Sequence, residues 1–213
     1  MAFVEAKVIL YCEDGFQFEI TQVPGEERLV STALRLTVDE FDRMIDADVF
    51  HDNRRIELVR GELRTMNALG PNHEYVTVLL TRWSYENLPK RQAQIRVQNS
   101  IGLESLDSVP EPDVAWVSER VYAAKRPSAK DVFLVIEVAD ASRAYDLGDK
   151  RDLYATARIS EYWVVDIPKR CIHVFRKPLR GVYRDSTIVH EEGNVRPLAF
   201  PKMNLRVGTL FEF

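Results

Sequence analysis

Asp113, Glu137 and Lys150 are chemically capable residues at positions where the surrounding sequence predicts burial. Glu137 interrupts Asp131–Asp140, DVFLVIEVAD, in which seven of ten residues are apolar. Such a run reads as a strand covered on both faces, where a carboxylate must be paired, protonated or bound to a metal. Lys150 lies in residues 146–158, DLGDKRDLYATAR, which reads as a helix. Leu147, Lys150, Tyr154 and Ala157 are spaced by three, four and three residues and share one helical face. A lysine on that apolar stripe is as anomalous as a glutamate in the strand. Both are explained if they face each other between sheet and helix. Asp113 opens a further strand after the constrained loop Pro110-Glu111-Pro112 and supplies a second carboxylate. Two carboxylates and an amine around a small pocket suit Mg²⁺ (or Mn²⁺), with Asp113 and Glu137 as ligands. The lysine would orient or deprotonate a water and steady a phosphorane-like transition state. In outline, that is phosphodiester hydrolysis.

These residues require a scaffold, and the pattern supplies one. Residues 2–20 read as a hairpin about Glu13-Asp14-Gly15, with Pro24-Gly25 as a break beyond it. Residues 1–36 are taken as an extension and 37–213 as the main domain. Thr37 and Glu40 form a capping-box pattern ahead of a helix carrying Val38, Phe41, Met44 and Ile45. RRIELVRGELRTM reads as a hairpin around Arg60-Gly61. Pro71-Asn72 starts a helix with the stripe Tyr75, Val76, Leu79, Leu80 and Trp83, closed by Pro89. Strands follow at Gln94–Leu103, Val114–Val117, 131–140 and Glu161–Asp166, then a second hairpin about Arg180-Gly181. The tail FPKMNLRVGTLFEF packs back onto the domain. The mixed order indicates an α/β (α+β) fold, a central mixed β-sheet flanked by helices.

Composition narrows the classes. The 213 residues, 46% hydrophobic, suffice for one filled core. The formal net charge of −4 argues against coating nucleic acid by bulk charge, though a local basic face is still open. No apolar run reaches membrane-spanning length and no secretory signal opens the chain, so the expectation is a cytoplasmic protein. The two cysteines, Cys12 and Cys171, are read as reduced thiols outside any metal-type spacing.

In combination, these motifs resemble the Uma-type family, a branch of the PD-(D/E)XK nuclease superfamily. The resemblance rests on PDV at Pro112–Val114, IEVADAS at Ile136–Ser142, Asp146, Lys150 and Tyr154, EYWVVD at Glu161–Asp166, IELVRGEL at Ile56–Leu63, and PNH at Pro71–His73. It spans residues 37–213 and implies a restriction-endonuclease-like fold and metal-dependent cleavage of DNA. By position, Asp113 matches the superfamily's aspartate and Glu137 its second acid. The superfamily's lysine falls two residues after that acid, where this chain has Ala139, so the amine comes from Lys150 on the next helix. The resemblance also implies a further acid, Glu57 or Glu62, with Glu57 preferred because its strand parity is opposite to that of Ile56 and Leu58.

Plainer readings stand beside these. Glu137 and Lys150 also fit a structural ion pair, and Asp113 a residue that merely starts a strand. His73 fits a capping or surface histidine at a helix N-terminus, or a contact to substrate phosphate. Arg176 and Lys177, with Lys169, Arg170, Arg180 and Arg184, form a basic hairpin surface that could meet a DNA backbone. The leading expectation is an endonuclease acting as a homodimer. The rivals are a non-catalytic DNA- or protein-binding module and a small phosphoester hydrolase.

Overall fold

The computed structural model describes residues 33–50, 55–66 and 69–213, together with the backbone of the strands Ala6–Tyr11 (β1) and Gln17–Gln22 (β2). The chain divides into two compact units, residues 1–35 and 36–213. In the first, β1 and β2 pair antiparallel from Ala6↔Gln22 to Tyr11↔Gln17. The expected turn at Asp14-Gly15 and break at Pro24-Gly25 lie outside the described residues.

In the second unit, α1 (Val38–Asp46) starts at the expected capping box. The Glu40 amide donates to Thr37 Oγ1 at 3.2 Å and the Thr37 amide to Glu40 Oε2 at 2.8 Å. β3 (Ile56–Val59) and β4 (Glu62–Thr65) form the hairpin predicted around Arg60-Gly61. Arg60 (φ 52°) and Gly61 (φ 77°) are both left-handed, as a type I′ turn requires, and glycine takes the second of these positions without steric cost. β3 is covered on both sides, so Glu57 is buried as well as Leu58.

α2 (Pro71–Asn87) has Pro71 in its first turn, where no amide hydrogen is needed. Its buried face is rotated from the expected stripe: His73, Val76, Thr77, Leu80 and Ser84 are buried, and Tyr75 is 43% exposed. Thr77 and Ser84 can lie inward because their hydroxyls donate to the carbonyls of His73 (2.9 Å) and Leu80 (2.7 Å). That is why hydropathy alone misplaced the face.

The central sheet has six strands. They are β5 (Ala93–Val97), β6 (Val114–Ser118), β7 (Val132–Ala139), β8 (Glu161–Asp166), β9 (Cys171–Leu179) and β10 (Val182–His190), in spatial order β10-β9-β8-β7-β6-β5. All neighbours are antiparallel except β7 and β8, which run parallel. The mixed sheet confirms the fold class. β5 is shorter than predicted: Gln98 turns to φ 50°, and Ile101 and Leu103 are buried in a loop that bridges to Ser108 and Ser128.

The parallel pair needs a crossover, and residues 143–156 provide it as one continuous helical run. This comprises α3 (Arg143–Tyr145), a π-helical turn Asp146–Lys150, and α4 (Arg151–Thr156). The two sheet faces bury separate clusters. Leu134, Ile136, Val138, Trp163, Val165 and Val174 meet α2 and a C-terminal stretch that includes Met203, Leu205, Val207 and Leu210, so the tail does pack back. Val135, Ala139, Tyr162, Val164 and Phe175 meet Leu153 and Tyr154 of α4. A short pair, β11 (Asn194–Val195) and β12 (Leu205–Arg206), secures that C-terminal stretch. Among the described residues, no helix is long and apolar enough to cross a membrane.

Candidate active site

Glu137 projects from β7 on the α4 side, since its register partner is Val164 of that cluster. Lys150 arrives at the end of the π turn. Its Nζ donates to Glu137 Oε1 and to Glu57 Oε1, each at 2.9 Å, and the lysine is only 4% exposed. The strand acid and the helix amine therefore meet, as the helical-face argument required. Glu57 is brought in by the β3–β4 hairpin and also accepts the Glu111 amide at 3.0 Å. Glu62, the alternative acid, lies on the exposed strand β4, and one of its carboxylate oxygens is 3.4 Å from Arg64 Nη2.

Asp113 precedes β6 and is 5% exposed. Its Oδ2 accepts the Val138 amide at 2.8 Å and faces His73 Nε2 at 3.1 Å. Its own amide points at Glu137 Oε2, 3.4 Å away. The surface reading of His73 is thus overturned. The first turn of α2 is laid against the end of the sheet, and the residue is 6% exposed, with Nδ1 buried and lacking a hydrogen-bond partner.

Glu57, His73, Asp113, Glu137, Asp146 and Lys150 all line one cavity of about 420 Å³. Arg176 and Lys177 are not among its lining residues. Arg176 grips the buried Glu161 through Nε (2.8 Å) and Nη2 (2.6 Å), and Lys177 pairs with Asp185 at 3.0 Å on the β9–β10 hairpin.

Electrostatics distinguish the members. Burial pushes the Glu137 carboxyl well above the usual range; Lys150 opposes this, while Asp113, Asp146 and Glu57 reinforce it. Burial disfavours the Lys150 ammonium, but Glu137, Glu57 and Asp146 overcome that and hold its pKa well above normal. The amine is therefore a cation, which suits orientation and charge stabilisation better than deprotonation of a water. Asp113 is also opposed by burial, yet His73, the Val138 amide and Lys150 hold its carboxyl below the ordinary value.

Three contributors were not read from sequence as site residues. Asp146 is buried, and its carboxyl is raised to about 6, chiefly by burial. It lies four residues before Lys150, so the same helical-face test could have found it. Tyr154, on the same helical stripe as Lys150, is buried, and its hydroxyl donates to Glu137 Oε1 at 2.9 Å. Arg64 lines the cavity, 5.1 Å over the Tyr145 ring and 3.3 Å from Asp149. No sequence signal separates it from an ordinary solvated strand arginine.

The donor chemistry fits a hard divalent cation. Four buried carboxylates, Glu57, Asp113, Glu137 and Asp146, surround one buried ammonium, and two of them have raised pKa values. This surplus of negative charge is what a cation would relieve. Asp113 and Glu137 are the pair that would hold it, leaving its remaining positions to water and substrate oxygens.

Residues 38–208 match the Uma2 family, described as "Putative restriction endonuclease". The chain belongs to that family. A crystal structure of "a putative nuclease belonging to DUF820" from Anabaena variabilis ATCC 29413 is similar in fold, with a TM-score of 0.64 at 14% identity. The match covers 83% of this chain and 97% of that one. No curated protein gives a significant match. This Uma2-family chain is thus a nuclease-like protein whose fold matches a solved relative over nearly all of that relative's length.

Proposed function

We propose that this Uma2-family protein is a metal-dependent endonuclease that hydrolyses DNA phosphodiester bonds. The observation that carries the reading is the convergence of Asp113, Glu137, Lys150 and Glu57, from four separate elements, on one cavity with surplus negative charge. Asp113 and Glu137 hold a Mg²⁺ or Mn²⁺ ion, which when bound polarises a phosphate oxygen and offsets transition-state charge. Lys150 has three N–H donors, two of them used by Glu57 and Glu137, and turns the third toward the scissile phosphate. Glu57 and Tyr154 fix the amine and the acid in place. His73 holds the Asp113 carboxylate at the angle set by the Val138 amide. Arg64, at the cavity wall, contacts a flanking phosphate.

Cutting both strands of a duplex suits two copies related by a two-fold axis. The test is cleavage of plasmid and linear DNA by the purified full chain with Mg²⁺ or Mn²⁺, beside the Lys150→Ala variant. Metal-dependent nicking or cutting that disappears in the variant, with its circular dichroism unchanged, is the expected result. Absence of cleavage by the parent under both metals, with the variant indistinguishable from it, would sink the proposal.

A further inference from the structure

A second polar cluster lies on the same sheet face, against the start of the helical run. Asp166 ends β8 and pairs in register with Cys171, the first residue of β9; His173 follows two residues on and points to the same side. Among the described residues, these form the one group of three His, Cys, Asp or Glu donors whose ligand atoms all lie within 4.8 Å of one another. Cys171 Sγ is 3.8 Å from His173 Nε2, and the same nitrogen is 3.2 Å from Asp166 Oδ2. A hydrogen-bonded nucleophile relay would place its two partners on opposite ring nitrogens. Here both crowd onto one nitrogen, so the donors converge on a common point.

We propose that Asp166, Cys171 and His173 form a binding site for a divalent transition metal of the zinc class, separate from the Asp113–Glu137 centre. Tetrahedral zinc with its usual bond lengths sets neighbouring nitrogen, oxygen and sulfur donors about 3.3–3.6 Å apart, close to the two separations found here. A thiolate and an imidazole select such an ion over Mg²⁺ or Ca²⁺. The site has three protein ligands, and the fourth position is left for water. Binding takes the proton from the Cys171 thiol and releases it to solvent. Entry is from the side of His173, whose side chain is 12% exposed, and Arg143, 42% exposed. Arg143 Nε now donates to Asp166 Oδ2 at 2.6 Å and must swing away from that oxygen. Because Arg143 opens the helical run that carries Lys150, occupancy there bears on how that run is fastened to the sheet.

Titration of the purified full chain with Co²⁺ tests the site. The expected result is a thiolate-to-cobalt charge-transfer band and the visible bands of four-coordinate cobalt, saturating at one equivalent and bleached by Zn²⁺. Cys171→Ser removes the charge-transfer band, and His173→Gln weakens Zn²⁺ binding by more than about 100-fold. Cys12→Ser leaves the spectrum unchanged, and so does Lys150→Ala, which separates this site from the nuclease centre. Arg143→Gln tightens binding by freeing Asp166. The proposal is overturned if no thiolate band forms by one equivalent, or if the band survives Cys171→Ser and vanishes with Cys12→Ser. Should Cys171→Ser fail to fold, the partly exposed His173→Gln decides: unchanged Zn²⁺ affinity there rejects the site.

Discussion

Two glutamates on neighbouring strands are buried almost equally, and their surroundings are opposite. Glu161, on the α2 face, is fully buried and saturated with donors. Arg176 reaches it through two nitrogens, Trp163 Nε1 donates at 2.9 Å and the Leu198 amide at 2.6 Å. Glu137, on the α4 face, has Lys150 and Tyr154 but is crowded by Asp113, Asp146 and Glu57 around an open cavity. A buried charge is therefore not in itself a sign of function. The informative feature is a like-charge surplus beside a space that a ligand can enter, which a purely structural pair would have no reason to keep.

Exchange of each acid for its amide tests that contrast most directly. On the proposed reading, Glu137→Gln should lower cleavage by about 10³-fold or more, since it removes both a metal ligand and one of the two carboxylates that hold Lys150. Its melting temperature should not fall. Glu161→Gln should do the reverse, losing stability while the folded fraction cuts DNA at the parent rate. If Glu137→Gln melts far below the parent and cleaves normally when folded, the contrast collapses.

The partner of the structural acid comes next. Arg176→Met strands a buried carboxylate and should cost about 3–5 kcal/mol in a denaturant titration, with no selective change in DNA affinity. A salt-dependent loss of DNA binding without loss of stability would instead restore Arg176 to the substrate surface.

Asp146 belongs to the crowded side, and its effect depends on pH. Its carboxyl is raised from 3.8 to about 6 by burial, so the folded state binds this proton more tightly than the unfolded chain does. The associated stability is present below pH ~4 and is lost as pH rises through ~6. Asp146→Asn should therefore stabilise the protein at pH 7.5 by something on the order of 3 kcal/mol. That gain should fade as pH falls from ~6 to ~4. A gain independent of pH would show that charge crowding is not its source. Lys177→Ala, at an exposed pair, should change stability by less than about 0.5 kcal/mol.

The local elements were legible because short-range physics sets them. Arg-Gly pairs marked both hairpins, the Thr37–Glu40 box marked α1, and an apolar run marked β7. Glu137 and Lys150 could be paired from sequence because a strand and a following helix of known period leave few ways to meet. What could not be read depended on long-range register. His73 looked peripheral until α2 was laid against the sheet end, and Arg176 looked basic and free until β9 set it opposite Glu161. The region from Gln98 to Leu103 kept an alternating pattern while leaving the sheet, because a buried loop needs apolar side chains too.

The π turn at Asp146–Lys150 has a mechanical corollary. It fits about one more residue into a turn than an α-helix does, so it sets the angular phase between Arg143 and Lys150. Each end is pinned to its own anchorage, Arg143 to Asp166 and Lys150 to Glu57 and Glu137. Deleting Gly148 would rewind the screw by about 100°, and the two clasps could no longer be closed together.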